Sequence, residues 1–232
     1  MHRLVYQNFD DHETLVMTHS VPTANSQPPV GIRWYEIRNP ASPVVWQQST
    51  FAPDGNSRWM GSIAMDNAGD IAVGYSESSS SMFPKISYTG RTPADPLNTL
   101  EAEVDIFLGV GSQTVGNRWG DYTALTVDPV DDCSFWYTNE YLSIMSVSWH
   151  TRIGSFKFPG CSLPQTFSFA NTVFRSGAVE YHAASSIEAG NTTIITGPAR
   201  ITFEARVIRL EPSFRATASP GSGVAFHAKL QQ

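Results

Sequence analysis

The chain of 232 residues is poor in charge, and the charge it has is mostly acidic: 15 Lys and Arg stand against 21 Asp and Glu, for a net −6. A nucleic-acid partner needs a concentrated basic patch. The densest basic run, Arg200 to Arg215, alternates with apolar residues and reads as the wet face of strands. No nucleic-acid partner is therefore expected. No stretch of about 18 apolar residues occurs, so no membrane-spanning helix is expected. The start, Met1-His2-Arg3-Leu4-Val5-Tyr6, has no apolar signal-peptide core and goes straight into strand-like alternation. It reads as a domain already under way, the tail of a longer protein or a short frame cut from one. Long amphipathic helical segments are missing too. With 12% aromatic residues and abundant Ser, Thr, Gly and Pro, that predicts an all-β protein of many short strands. No zinc spacing of Cys and His, no Gly-x-Ser-x-Gly elbow and no phosphate loop is present. Gly109-Val110-Gly111 has no helix after it and is no dinucleotide fingerprint.

Cysteine is limited to Cys133 and Cys161. If their strands share a sheet, a disulfide would staple the last unit there. The alternative is two unrelated buried thiols. One even pair in a Lys-poor chain rich in Trp, Ser and Thr favours the disulfide and an exported protein.

What is present is a segment that occurs twice, about sixty residues apart. It runs Arg58-Trp59-Met60-Gly61-Ser62, then Asp66-Asn67-Ala68-Gly69-Asp70, then on to Tyr75-Ser76-Glu77. It returns as Arg118-Trp119-Gly120-Asp121-Tyr122, Asp128-Pro129-Val130-Asp131-Asp132, and Tyr137-Thr138-Asn139-Glu140. Residues 1–161 divide into three strand-rich units. The first has strands Arg3–Asn8, His12–Val21 and Ile32–Arg38, with a polar, Pro-rich loop from Pro22 to Pro29. The second has Val44–Thr50, Trp59–Met65, Ile71–Ser76 and Lys85–Tyr88. The third has Glu103–Gly109, Tyr122–Val127, Ser134–Tyr141 and Trp149–Phe158. Strands such as Ser62-Ile63-Ala64-Met65 are small and apolar on both faces, as a strand covered on each side requires. Units of this length with a polar turn at a fixed place predict a partial β-propeller of about three four-stranded blades. Three blades do not close a ring, so the missing ones lie upstream or a homodimer closes it.

Residues 162–178 read as a linker and lead-in strand, and 179–232 as a three-rung, β-solenoid-like stack. Val179-Glu180-Tyr181-His182-Ala183 recurs as Ile201-Thr202-Phe203-Glu204-Ala205 and as Val224-Ala225-Phe226-His227-Ala228, a period of about 22 residues. Each copy alternates apolar and polar, so each predicts a strand with one buried face. Asn191-Thr192-Thr193 matches a glycosylation sequon.

Several of these stretches carry a family resemblance. Asp11-His12-Glu13, Gly31 to Ile37, Arg58 to Asp66, Arg118 to Tyr122, Asp131-Asp132-Cys133 and Arg152 to Phe156 resemble the C-terminal part of secreted bacterial sialidase-like, Asp-box β-propellers. The boxes depart from the family pattern: Gly69 comes one residue late, with Ala68 in its place, and Asp128 has no Gly after it. The tail, through Ile208 to Ala216 and Gly221-Ser222-Gly223, resembles the three-coathanger stack module, with Ser213 where that module usually has Gly. The resemblance implies an extracellular or cell-envelope location.

The candidate site lies where innermost strands begin. A sialidase-type enzyme needs arginines that hold a carboxylate, a Tyr nucleophile and an acid. Arg58 and Arg118 fit the first role, Tyr122 the second, and Asp121 or Glu13 the others. A third arginine would have to come from Arg33 or Arg152. The alternative is that the Arg-Trp pairs stack and cap the blade core. His12, Trp59 and Trp119 join Arg58 and Arg118 as candidate ligand-binding residues, with Trp136 and Tyr122 as further aromatics. Asp11, Glu13 and Asp121 could hold Ca²⁺, the one cofactor suggested, although Asp11 and Glu13 alternate in facing with His12. Asp128, Asp131 and Asp132 could chelate in a turn or cap it. Besides a purely structural role, in which the tail is a spacer or sorting module and the truncated propeller is inactive alone, two functions stay open. One is a binding module for a polysaccharide or cell-surface protein, with the tail as spacer or sorting module. The other is a sialidase-like glycoside hydrolase or a remnant of one.

Overall fold

A computed structural model gives the fold and describes residues 4–9, 11–24, 27–116, 118–144, 148–162, 166–170, 172–174, 178–183, 186–190, 193–196, 199–212, 214–217 and 226–230. The chain is all-β, and no helix occurs among the described residues. It forms two compact units, Met1–Cys161 and Ser162–Gln232.

The first unit holds three antiparallel meander sheets. One joins β1 (Leu4–Asn8), β2 (Glu13–Ala24), β3 (Gln27–Arg38) and β4 (Val44–Phe51). The next joins β5 (Ser57–Met65), β6 (Ile71–Ser79), β7 (Met82–Arg91) and β8 (Val104–Phe107). The third has three strands, β9 (Ala124–Val127), β10 (Phe135–Leu142) and β11 (Trp149–Phe156). This regroups the expected units by one strand. Val44–Phe51 pairs with β3 and closes the first sheet, and Val104–Phe107 pairs with β7 and closes the second. The reason for the first is local. Asn39 adopts a φ of 53° and its carbonyl accepts from Ser42 N at 2.8 Å, so the chain turns back on β3 at once. Residues 22–24 and 27–29, expected within a loop, instead extend β2 and β3, whose paired register breaks between Pro22 and Ala24.

The middle sheet is covered on both faces. Ile63, Met65, Ile71, Val73 and Tyr75 pack with Val16, Ile32 and Trp34 of the first sheet. On the opposite face Ala64, Ala72 and Ile86 pack with Leu125, Phe135, Tyr137 and Phe158. Residues 71–77 of β6 are all buried, as a strand enclosed on both sides must be. The approach is close enough at Gly74 that a Cβ there would lie 2.6 Å from the Tyr137 ring. The outer faces of the two end sheets keep exposed apolar side chains: Leu4, Tyr6 and Val45 on the first sheet, Trp136, Trp149 and Ile153 on the third.

The two copies of the repeat lie side by side. Asn67 N donates to Asp132 O at 3.0 Å, Thr123 Oγ1 to Met60 O at 2.7 Å, and Leu125 N to Ser62 Oγ at 2.9 Å. Within the first turn, Asp66 Oδ1 accepts from the N–H groups of Ala68 and Asp70, both at 2.9 Å. Its Oδ2 is buried with no donor, and the neighbouring Asp70 carboxylate is buried as well. Burial, with the Asp70 charge second, pushes the Asp66 carboxyl up to about 7. The folded state thus holds a proton between about pH 4 and 7 that the unfolded chain has released. Stability from this site is fully present below pH ~4 and declines as pH rises to 7. Asp66→Asn keeps the Oδ1 acceptor and removes the titration. It is expected to flatten that decline and to raise stability at pH 7.5 by on the order of 2 kcal/mol. Thermal unfolding at pH 4.5 and 7.5 checks this; a difference between wild type and variant that is the same at both pH values would mean that the Asp66 carboxyl is not raised.

The second unit is built from parallel strands. Rows β12 (Thr166–Phe169), β15 (Ser186–Ala189), β18 (Val207–Leu210); β13 (Val173–Phe174), β16 (Ile194–Ile195), β19 (Arg215–Ala216); and β14 (Ala178–His182), β17 (Arg200–Ala205), β20 (Phe226–Leu230) form three three-stranded parallel sheets. Ala183, Ile187, Ile195, Ile201, Phe203 and Ala205 fill its core. Thr166–Phe169 and Val173–Phe174, within the stretch expected as a linker and lead-in, supply the first strands of two rows. The first two copies of the repeat pair in register, Tyr181 against Phe203. The third is offset by two residues, so that Ala228 rather than Phe226 lies beside Phe203. A two-residue shift keeps every side chain on its face, sets a small residue beside Phe203, and leaves Phe226 in edge contact with that ring at 5.1 Å. Arg209 pairs with Glu188 at 3.0 Å and Lys229 with Glu204 at 2.8 Å. The sequon at 191–193, the Val224-Ala225 start of the third copy, Ser213 and 221–223 lie wholly or partly outside the described residues.

Candidate functional site

The site begins at a defect in β5. Its register against β6 shifts between Trp59 and Ser62, and Met60 takes a φ of 53°. A bulge re-aims the side chains around it. Here it sets Trp59 beside Trp119 from the loop before β9, the rings meeting edge to face at 6.1 Å. Ser76, buried on β6, fixes that loop. Its Oγ accepts from Trp119 Nε1 at 2.9 Å and from Asn139 Nδ2 at 3.0 Å. Gly120, at a φ of 52°, then donates its N–H to Glu140 Oε2 at 2.6 Å.

Between this loop and the outer face of the third sheet lies a cleft of about 440 Å³. Arg118, Asp121, Tyr122, Glu140, Trp149 and Thr151 line it. Tyr122 and Trp149 are each 65% exposed. Arg118 Nε donates to Asp121 Oδ2 at 2.7 Å. Burial raises the Glu140 carboxyl above its ordinary value; the Gly120 N–H opposes this and the Asp121 charge adds to it. The arrangement offers two aromatic faces for stacking, a paired cation, and one carboxyl biased toward keeping its proton. A smaller cleft of about 220 Å³ adjoins it, lined by Thr18, His19, Met60, Tyr122 and Thr123.

Arg118, Asp121, Tyr122 and Trp119 are therefore brought together. Arg58 is not with them. Its side chain is 0% exposed and donates to Glu103 (2.9 and 2.7 Å), Asp54 (2.9 and 3.1 Å), Glu77 (3.2 Å) and Asn56 O (3.3 Å). Every donor of the guanidinium is taken, so it has nothing to give a ligand. Tyr75 donates to Glu103 at 2.8 Å, and Lys85 Nζ lies 3.1 Å from Glu77 and 2.7 Å from Asp105. Arg58 with its acids is a structural ionic core of the middle sheet. Arg33 and Arg152 supply no replacement. Arg33 donates to Thr50 and Gln48 and lies over the Tyr35 ring, and Arg152 lies over Phe107. Among the described residues of this unit, the converging arginines of a sialidase-type site are thus not assembled.

Glu13 lies outside the cleft and accepts from Tyr6 OH at 2.6 Å. His12 stacks on Phe9, and its Nδ1 lies 2.6 Å from Asp11, a contact that lowers the Asp11 carboxyl. The expected Ca²⁺ set of Asp11, Glu13 and Asp121 is not brought together. Among the described residues, two groups of potential ligand atoms do converge: Asp54, Glu77 and Glu103, and Asp66 with Cys133 and Cys161. The first surrounds Arg58, and the second contains two sulfurs bonded to each other. Asp128 and Asp131 serve turns. Asp128 accepts from Val130 N and Trp136 Nε1, and Asp131 from Cys133 N and Ser134 N.

Sequence reasoning did not assign Glu140 and Trp149 to the site. Glu140 follows the repeat's matched tyrosine by three residues, whereas Glu77 follows its own by two. That one-residue difference puts them on opposite faces of their strands and was a signal available in the sequence. Trp149 had no such marker. Comparison with family profiles and with curated proteins finds no match to this chain. The functional reading rests on the geometry of the site.

Proposed function

We propose that this chain is a polysaccharide-binding module of an exported protein. On this reading the antiparallel unit is part of a β-propeller, each meander sheet a blade. The parallel unit is a short β-solenoid-like stack acting as spacer or sorting module. The observation that carries the binding role is the cleft that Trp149 and Tyr122, both 65% exposed, line together with Arg118, Asp121 and Glu140. Exposed aromatic rings together with fixed polar groups suit sugar rings, which present apolar faces and hydroxyl edges. Export is supported by the Cys133–Cys161 disulfide. The propeller reading is supported by the two-faced burial of the middle sheet and by the apolar outer faces of the end sheets. Those faces are also the surfaces through which a homodimer would close a ring, which light scattering on the purified chain tests.

Trp149→Ala and Tyr122→Ala are each expected to weaken polysaccharide binding about tenfold or more, with unchanged circular dichroism. Titration against a panel of soluble polysaccharides measures it. Full affinity in both variants would remove the cleft as the binding site. A hydrolytic reading has one observation in its favour: Glu140, its carboxyl raised, beside Asp121 in the same cleft. Release of reducing ends from the same panel, lost in Glu140→Gln, would move the protein to that class.

A further inference from the structure

The cleft does not end at Trp119. Trp119 also lines a second hollow of about 510 Å³, which shares it and Gln113 with the first. Its lining differs in character. Trp59, Phe83 and Pro84 line it together with Ser78 and Ser79 at the end of β6 and Ser80 and Ser81 of the turn after it, and no charged side chain is among its described lining residues. Both hollows fall within the volume range of ordinary ligand sites.

We infer that the two hollows are adjoining subsites for one extended ligand, and that this ligand is a neutral, hydroxyl-rich polymer such as an uncharged polysaccharide. The inference rests on the carbohydrate reading of the first cleft and extends it in length and charge. Trp119 stands at the join. It is half-buried, anchored through Nε1 to Ser76 and braced by Trp59, so it can stack on a ring without first losing freedom. Phe83, 45% exposed, gives the second hollow its own stacking face. Ser79 and Ser81, with their hydroxyls 3.2 Å apart, rim it with groups that both donate and accept, the pattern that matches sugar hydroxyls. A polyanion fits poorly. It would place its charges in an uncharged hollow at one end and beside Asp121 and Glu140 at the other, where Arg118 is already paired with Asp121.

The test is calorimetric titration of the whole chain with malto-, cello-, xylo-, manno- and laminari-oligosaccharides of one to eight units, with oligogalacturonates as the charged comparison. The expected result is a neutral series whose affinity rises about 100-fold once the oligomer spans both hollows. Phe83→Ala and Ser80→Arg should abolish that gain while leaving binding of the shortest ligands unchanged. Affinity independent of length, or a length gain that survives both variants, would overturn the inference and leave the first cleft as a separate site. Tighter binding of the oligogalacturonates would overturn the charge assignment. Absence of binding at every length would overturn the carbohydrate reading itself, and this inference with it.

Discussion

Arg58→Met is expected to destabilise the antiparallel unit by about 3–5 kcal/mol, the range seen when one partner of a buried ion pair is removed. The size follows from what the substitution strands. Glu77 is 1% exposed and Glu103 19%, and both lose the guanidinium that compensates them. Lys85 is left with Glu77 and Asp105. In the wild type, burial outweighs the pairs made by Glu77 and leaves its carboxyl above the usual value. The hydrogen bond from Arg58 holds Glu103 below its own, against the opposing effect of burial. Glu103 therefore contributes stability above pH ~4.5 that is lost as pH falls, while Glu77 contributes in the opposite sense. Without Arg58 both carboxylates are stranded and favour protonation. The deficit of the variant should be largest at neutral pH and narrow toward pH 4. Calorimetry should show a drop in Tm of roughly 6–20 °C at pH 7.5, with part of it restored by adding Glu103→Gln. A variant within about 1 kcal/mol of wild type would mean that the network is solvated and Arg58 accessible, reviving it as a ligand-binding residue.

Opening the disulfide is expected to have the next largest effect. Cys133 and Cys161 are 28 residues apart with Cα atoms separated by 5.7 Å. A closed loop of that length restricts the unfolded chain by about 3–4 kcal/mol. The link also ties the segment after β11, which carries Phe158, to the turn beneath β10, and Phe158 packs on Phe135 at 5.7 Å. Reduction, or Cys133→Ala with Cys161→Ala, should lower the melting transition of the antiparallel unit by on the order of 10 °C. The parallel unit contains no cysteine, so its transition should stay in place. A scan unchanged by reductant would show that the pair contributes nothing to stability.

The elements most legible in the sequence were those whose signal is local. The turn at Asp66–Asp70, the small apolar strand Ser62–Met65 and the alternation of Arg200–Ala205 each announce themselves within a few residues. The doubled segment marked the two copies that lie side by side. Less legible was which strand closes which sheet. Val44–Phe51 reads equally well as the end of one unit or the start of the next, and only the tight turn after Asn39 assigns it to the first. The third copy of the short repeat was visible, yet its pairing was two residues off, because a two-residue shift leaves the inside-outside pattern intact.

By itself the sequence determined the all-β class, the small two-faced strands of the middle sheet and the acidic, weakly charged surface, because periodicity, turn chemistry and composition act over short stretches of chain. Tertiary structure alone decided the fate of the two Arg-Trp pairs, which are indistinguishable as sequence. Arg58 is drawn into the sheet by Glu103, 45 residues away, while Arg118 stays 82% exposed beside Asp121. The same holds for the cleft. Glu140 and Trp149 reach it through the register of β10 and β11 and the bulge at Met60. Burial and charge pairing depend on which strands become neighbours, and that is a property of the assembled sheets.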